Sequence, residues 1–338
     1  MAKRPLHIIL CHSNASQTSR LAERLLESEC FVVFHVCLNA SQAFQKNLTD
    51  RFGHYQNVSF STREDGSWGE FGIVQGTINA IAKGDEVYGK DISHFNLLSG
   101  QDYPIKPLSE FNTFLSLNQE KDFVEAYHWY PKLHDDVEVN HPWRQSKHLQ
   151  HLRLQHYYYR VGTNRIAVPE KYTDRYRGGL VSRLADLVRS LPSMALNRQR
   201  AREEWFLFQQ TNRHHFPRPI PPYQFYNGSQ WWTMSASSAR YVLSTYTSLF
   251  NDLTEHAKFS MLSDEFFFQT LLKNSPHSEK VQHNNLREIQ FALDQRQSKH
   301  PRVFQEDSLR ELLSSQHFFA RKFNGGCKIL DLLDEKHR

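Results

Sequence analysis

Short apolar runs alternate with helical patterns through the first hundred residues, and this constrains the chain more than any other feature. Leu6–Cys11 and Phe31–Val36 are β-branched and aromatic stretches without polar alternation, the pattern of strands buried on both faces. Between them Leu21, Leu25 and Leu26 follow Ser13 and Asn14 at helical spacing. A third strand is expected at Val58–Phe60, a helix over Phe71–Ala82, and a further buried strand at Phe95–Leu98 that ends on Ser99-Gly100. The βαβ rhythm predicts a mostly parallel sheet flanked by helices. Ligands of such sheets sit beyond the carboxyl ends of the strands, so the loop after Leu98 is the first place to look.

The 338 residues allow one large domain or two fused ones, with enough chain to bury a core without disulfides or metal clips. Apolar residues make up 39% and charged residues 23%, which excludes a disordered or fibrous protein. No apolar run approaches the roughly 20 residues that span a bilayer, so no transmembrane helix is expected. The charged head at Met1–Arg4 leads to no cleavage site of small residues, and a cytoplasmic location is expected. Cys11, Cys30, Cys37 and Cys327 lack C-x-x-C spacing and are expected to be free, mostly buried thiols.

The net charge of +5 is unevenly spread: residues 141–220 hold 15 Lys/Arg against 5 Asp/Glu, and the rest holds 26 against 31. Trp143, Tyr157-Tyr158-Tyr159, Trp205 and Phe206 are interleaved with these cations. The segment is either a solvated basic helical insertion or a surface for anionic lipid, phosphorylated acceptors or nucleic acid. Helices are expected within it near Leu180–Leu191 and Asn197–Gln209. Beyond it they are expected at Ser238–Thr254, Glu265–Leu272, Leu309–Leu313 and Ile329–Glu335.

Neither a G-x-G-x-x-G fingerprint, a phosphate-cradling P-loop nor a G-x-S-x-G elbow is present. No Asp-x-Asp triplet offers a divalent metal to a diphosphate, so a diphosphate ligand would need the protein's own cations. His148, His151, His156, His214 and His215 match no zinc spacing and read as solvated. Ser99–Lys106 has the composition of a tight turn. Gly228-Ser-Gln-Trp-Trp232 offers indoles that either stack on a sugar ring or fill the core. In Ser263–Gln269, Ser263 is expected to cap a helix, and Glu265 beside three phenylalanines would be desolvated, as a general base requires. Phe318–Phe323 places Arg321 and Lys322 among aromatics, where they snorkel or hold an anion.

Taken in order, Ile8–His12, Phe34–Val36, Trp68–Gln75, Ser99–Lys106, Gly228–Trp232, Asp264–Leu272 and Phe318–Phe323 resemble the core-2/I-branching N-acetylglucosaminyltransferase and peptide O-xylosyltransferase family. Only about 140–220 is left outside the resemblance. It implies a single modified GT-A-like α/β domain over 1–338, with a nucleotide-sugar-binding half at 1–135, the basic insertion at 141–220 and a catalytic, diphosphate-binding half at 221–338. It further implies inverting transfer from a UDP-sugar to a glycan hydroxyl without a metal or other cofactor. GlcNAc is the favoured donor sugar, with xylose next.

By similarity Glu265 is the catalytic base, Arg321 and Lys322 bind the donor diphosphate, and Arg302 adds a third cation. Asp102, Gln230 and Trp231 match donor-sugar positions, while Trp68 and Gly69 belong to a motif near the donor. Cys37 stands where the family often has an acid that contacts uridine. The expected setting is a bacterial-type enzyme of surface polysaccharide or lipooligosaccharide synthesis. Its acceptor could be lipid-linked, its basic segment would rest on the anionic inner membrane, and no nucleic acid is expected. The alternative is an inactive transferase-like scaffold that binds anionic lipid or nucleic acid through residues 141–220.

Overall fold

A computed structural model describes residues 3–129, 153–161, 164–168, 218–291 and 301–337, with single positions 188, 198, 202, 205 and 206 between them. The helices expected at Leu180–Leu191 and Asn197–Gln209, and most of the basic segment, lie outside the described residues.

The expected rhythm is present: β1 (Arg4–Cys11), α1 (Ala15–Leu26), β2 (Phe31–Val36), α2 (Gln42–Phe52), β3 (Val58–Phe60), α3 (Gly72–Tyr88) and β4 (Ile92–Ser99) follow in order. The Ser99–Lys106 turn contains a short strand, β5 (Asp102–Pro104), and is followed by α4 (Leu108–Leu117), β6 (Asp122–Phe123) and β7 (Tyr127–His128). Strands β8 (Tyr157–Val161) and β9 (Asn164–Val168) form an antiparallel hairpin inside the basic segment. The second half adds β10 (Tyr226–Asn227), β11 (Thr233–Ser235), α5 (Ala236–Thr245), α6 (Asn251–Lys258), α7 (Phe267–Lys273), β12 (Val281–Gln282), β13 (Arg287–Ile289), α8 (Leu309–Ser314), β14 (Phe319–Arg321) and α9 (Lys328–His337).

The main sheet runs β12-β6-β11-β4-β1-β2-β3. β4, β1, β2 and β3 are mutually parallel, and β11 of the second half pairs antiparallel with β4, so both halves share one sheet. Side chains alternate across it. Leu6, Ile8, Val33 and Phe95 join a core with α3, α5 and α7, whereas Ile9, Val32, Phe34 and Leu98 join a second core with α1, α2, α4 and α9. This is an α/β fold with a central, mostly parallel sheet flanked by helices, consistent with the GT-A-like class. Among the described residues no helix is long and apolar enough to cross a membrane. Cys11, Cys30 and Cys37 are buried, Cys327 is half-buried, and all four are free.

Two expectations need correction. Ser238–Thr254 is two helices, because Thr245 accepts the Phe250 N–H and the chain turns at Tyr246–Phe250 before α6 begins. Ser263 is no helix cap. Leu262 adopts a left-handed conformation (φ 55°), Ser263–Glu265 forms a 3₁₀ turn, and the α-helix starts only at Phe267. The short turn leaves Glu265 on a loop ahead of the helix.

Four buried histidines share one behaviour. Burial holds His35 and His94 down at about 4, and His7 and His256 at about 3, so each is neutral in the fold and takes up a proton more readily once unfolded. The four histidines therefore contribute stability that is fully present above about pH 6.5 and falls on the order of a few kcal/mol between about pH 6.5 and pH 4, opposed in part by the Glu125 carboxyl, which burial raises to about 7. Urea midpoints across that range check this; a flat profile would contradict it.

Candidate active site

The carboxyl ends of β1, β2 and β4 open into a cavity of about 170 Å³. Cys11, His12 and Ser13 line it from the end of β1, His35 and Cys37 from β2, and Ser99, Gly100 and Gln101 from β4. Gly66 and Trp68 close one side, and Gln230, Trp231 and Arg321 the other. The cavity thus lies where the strand-end rule points. The rule rests on backbone direction: every parallel strand delivers its following loop to the same edge.

Arg321 is the best-anchored side chain here. In the small sheet β13-β14-β5, Arg321 lies directly opposite Asp102. Its Nη1 donates to Asp102 Oδ1 at 2.7 Å and to Ser99 Oγ at 2.6 Å. Asp102 is fully buried, and its Oδ2 also accepts the Ser99 N–H at 2.9 Å. The guanidinium carbon lies 4.2 Å from the Trp231 ring centroid. An arginine bonded on one edge and stacked on its face is fixed in direction, ready to meet an anion in the cavity.

The other expected residues divide. Gln230 and Trp231 line the cavity, with Trp231 largely buried and its ring under Arg321, whereas Trp232 is fully buried in the core. Trp68 is 54% exposed at the rim. Gly69 (φ 73°) lies behind the rim, and its carbonyl accepts the Leu262 N–H at 2.8 Å. Asp102 does not reach the cavity, and Gln101 lines it instead. Lys322 is half-buried next to Arg321, and its ammonium is held below its usual range, first by desolvation and then by Arg321. Arg302, expected as a third cation, is engaged with its own neighbours in this structure. Its backbone pairs with Lys322, but its guanidinium turns to Ser308 Oγ at 2.9 Å and to Asp307 and Glu311 at 3.6 and 3.8 Å.

Glu265 sits one step from the cavity. Its carbonyl accepts the Gly228 N–H at 2.8 Å, while Gln269 Nε2 donates to Ser229 O at 2.7 Å. Together they tie the Glu265 turn to the segment that carries Gln230 and Trp231. Gly228 is required there, since a Cβ would stand 2.0 Å from the Glu125 carbonyl. Phe266, Phe267 and Phe268 are buried as the sequence suggests, yet the carboxylate is not in a purely apolar setting. Arg153, itself buried, places Nη1 3.0 Å from Glu265 Oε2. Nothing in the sequence distinguishes Arg153 from the other cations of the basic segment.

His35 on β2 and Cys37 just after it are both neutral. Burial holds His35 at about 4 and pushes the Cys37 thiol up to about 11. His35 Nδ1 lies 2.9 Å from Ser61 Oγ, and Arg63 fastens the loop after β2 through the Val36, Cys37 and Ala40 carbonyls. Among the described residues no cluster of His, Cys, Asp and Glu has the arrangement of a metal site.

The buried pair yields a prediction. Asp102→Ala leaves Arg321 without its carboxylate and is expected to cost roughly 3–5 kcal/mol, read from denaturant midpoints. Asp102→Asn, which keeps an acceptor, should cost less. A loss below about 1 kcal/mol for the alanine variant would mean that the pair does not hold this corner.

A sequence profile described as Core-2/I-Branching enzyme matches residues 193–317. Curated relatives match over 97% of this chain: Xylosyltransferase 2 of Rattus norvegicus at 24% identity, and those of Mus musculus and Homo sapiens at 23%. The chain spans about a third of the length of these relatives, 33% in each case. The α/β architecture and these two sets of matches point the same way: the chain is similar to core-2/I-branching enzymes and to xylosyltransferases.

Proposed function

We propose that this protein transfers a sugar from a UDP-sugar to a hydroxyl of a glycan acceptor. The observation that carries this reading is the fixed Arg321, bonded to Asp102 and Ser99 and stacked on Trp231 at the strand ends, beside Lys322. A diphosphate leaving group develops negative charge as the glycosidic bond breaks. Two adjacent cations already held in place stabilise that charge without reorganising, taking the part a divalent ion plays elsewhere.

Glu265 is the base in this reading. It accepts the proton of the acceptor hydroxyl as the oxygen attacks the anomeric carbon, on the face opposite the departing UDP. The stereochemistry is therefore inverting. Arg153 orients the carboxylate, and the Gly228 N–H on the Glu265 carbonyl keeps it in register with Gln230 and Trp231 at the donor sugar. Asp102 acts through Arg321 rather than on the sugar, and Arg302 shapes the backbone under Lys322. The matches spanning the chain are to proteins named xylosyltransferases, which favours xylose as the donor sugar ahead of GlcNAc.

Thermal melting with UDP, UDP-xylose, UDP-GlcNAc and UDP-glucose, each with excess chelator, tests the donor site. Saturating UDP at about 100 times its dissociation constant should stabilise by about 2.7 kcal/mol despite the chelator. Lys322→Ala should weaken that shift. Glu265→Gln should keep it while abolishing UDP release in the presence of acceptor. The absence of any shift, or one seen only with added divalent metal, would overturn the cation-clamp reading; near-normal turnover by Glu265→Gln would remove its role as base.

A further inference from the structure

Arg218 stands near the end of the basic segment, just ahead of Pro219, Pro221 and Pro222, and is only 3% exposed. Its Nη1 donates to His156 O at 2.9 Å, to Ser260 Oγ at 3.1 Å and to Phe259 O at 3.2 Å, and its Nη2 donates to His256 O. The guanidinium carbon lies 4.7 Å from the Tyr157 ring centroid. A buried cation has to be compensated, and here carbonyls, a hydroxyl and a ring face do so. His256 and Phe259 stand at the carboxyl end of α6, where carbonyls lack helical partners and carry the negative end of the helix dipole. Burial lowers the guanidinium only to about 10, so it stays charged at neutral pH.

The two stretches joined in this way are those that supply Glu265 and its cation. On one side, Arg153–Gln155 is a short helical turn that leads into His156, and Arg153 Nη1 lies 3.0 Å from Glu265 Oε2. Anchoring the His156 carbonyl fixes the base from which Arg153 projects. On the other side, Phe259 and Ser260 run through Met261 into the left-handed Leu262 and the Ser263–Glu265 turn. Tyr158 N–H to Phe259 O, at 2.8 Å, repeats the link in the backbone beside Arg218, and Leu262 N–H to Gly69 O is the next fixed point on the way to Glu265.

We infer that Arg218 is a positioning residue: it braces residues 153–158 against residues 256–260 and so sets the Glu265 carboxylate and the Arg153 guanidinium relative to each other. The inference rests on the transferase reading of Glu265. Arg218 does not line the donor cavity, so its effect falls on the chemical step rather than on donor binding. Small displacements of reacting groups cost rate steeply, up to about 100-fold for about 1 Å. Only a planar fork with donors in several directions reaches acceptors on both sides at once, which a lysine ammonium on a single stem does not reproduce.

Arg218→Met and Arg218→Lys in the full chain test it. The assay is UDP release with water as acceptor, from whichever of UDP-xylose, UDP-GlcNAc and UDP-glucose gives the largest melting shift. Arg218→Met should lower kcat about tenfold with KM and the UDP melting shift unchanged, and Arg218→Lys should fall between it and the parent. Arg153→Met should also lower kcat, and the double variant should be no slower than the more impaired single one, because both act through one carboxylate. Hydrogen exchange gives a second readout: the Leu262 and Tyr158 amides should lose protection while Leu97 in the central sheet keeps it. A folded variant with the parent's kcat, a loss confined to KM and the UDP shift, or unchanged exchange would overturn the inference. If Arg218→Met fails to fold, Arg218→Lys decides by the same readouts. No UDP shift in the parent protein, or near-normal turnover by Glu265→Gln, would instead sink the transferase reading, and exchange alone would then decide whether Arg218 holds the turn.

Discussion

Asp102 and Arg321 form the interaction on which the site depends. A carboxylate with no solvent exposure must be compensated, and here the cross-strand Arg321 guanidinium and both the backbone N–H and the hydroxyl of Ser99 supply the compensation. The consequence reaches past the pair. Because Asp102 follows β4 and Arg321 ends β14, their bond fastens the loop at the end of the parallel sheet to the last strand of the small sheet. Arg321 is then left with one direction in which to act, towards the cavity and across the Trp231 ring.

Around that corner the remaining parts are held by backbone rather than by side-chain choice. Gly69 meets Leu262, and Gly228 meets Glu265, so three segments far apart in sequence are pinned within hydrogen-bonding distance. Side chains are excluded at Gly228 because the Glu125 carbonyl already occupies the space. The basic segment completes this frame from outside, through Arg153 on Glu265 and Arg160 on Asp65. Its charge is thus partly spent on specific carboxylates of the α/β core, which a count of cations does not reveal.

Much of the fold was legible in the sequence. β1, β2 and β4 were recognisable because strands buried on both faces have no reason to alternate, and α3 because its apolar residues recur at helical spacing. The boundaries were less so. The chain turn at Tyr246–Phe250 interrupts a run whose apolar spacing would suit one long helix, and the left-handed Leu262 delays the helix that Ser263 would otherwise cap. Both are decided by packing and by hydrogen bonds to distant segments, against the local preference.

For the site, sequence alone determined the residue types: adjacent cations, a paired indole and amide, a carboxylate beside three phenylalanines, and a loop at a strand end. It could not determine where each side chain points. Asp102 turned inward to Arg321, Arg302 turned to Asp307 and Glu311, and Arg153 emerged beside Glu265 from a segment that read only as basic. The reason is physical. Composition and periodicity report how a residue relates to its near neighbours along the chain, whereas the partner of a buried charge is whichever opposite charge the fold brings within a few ångströms, and here those partners lie 5 to 219 positions away.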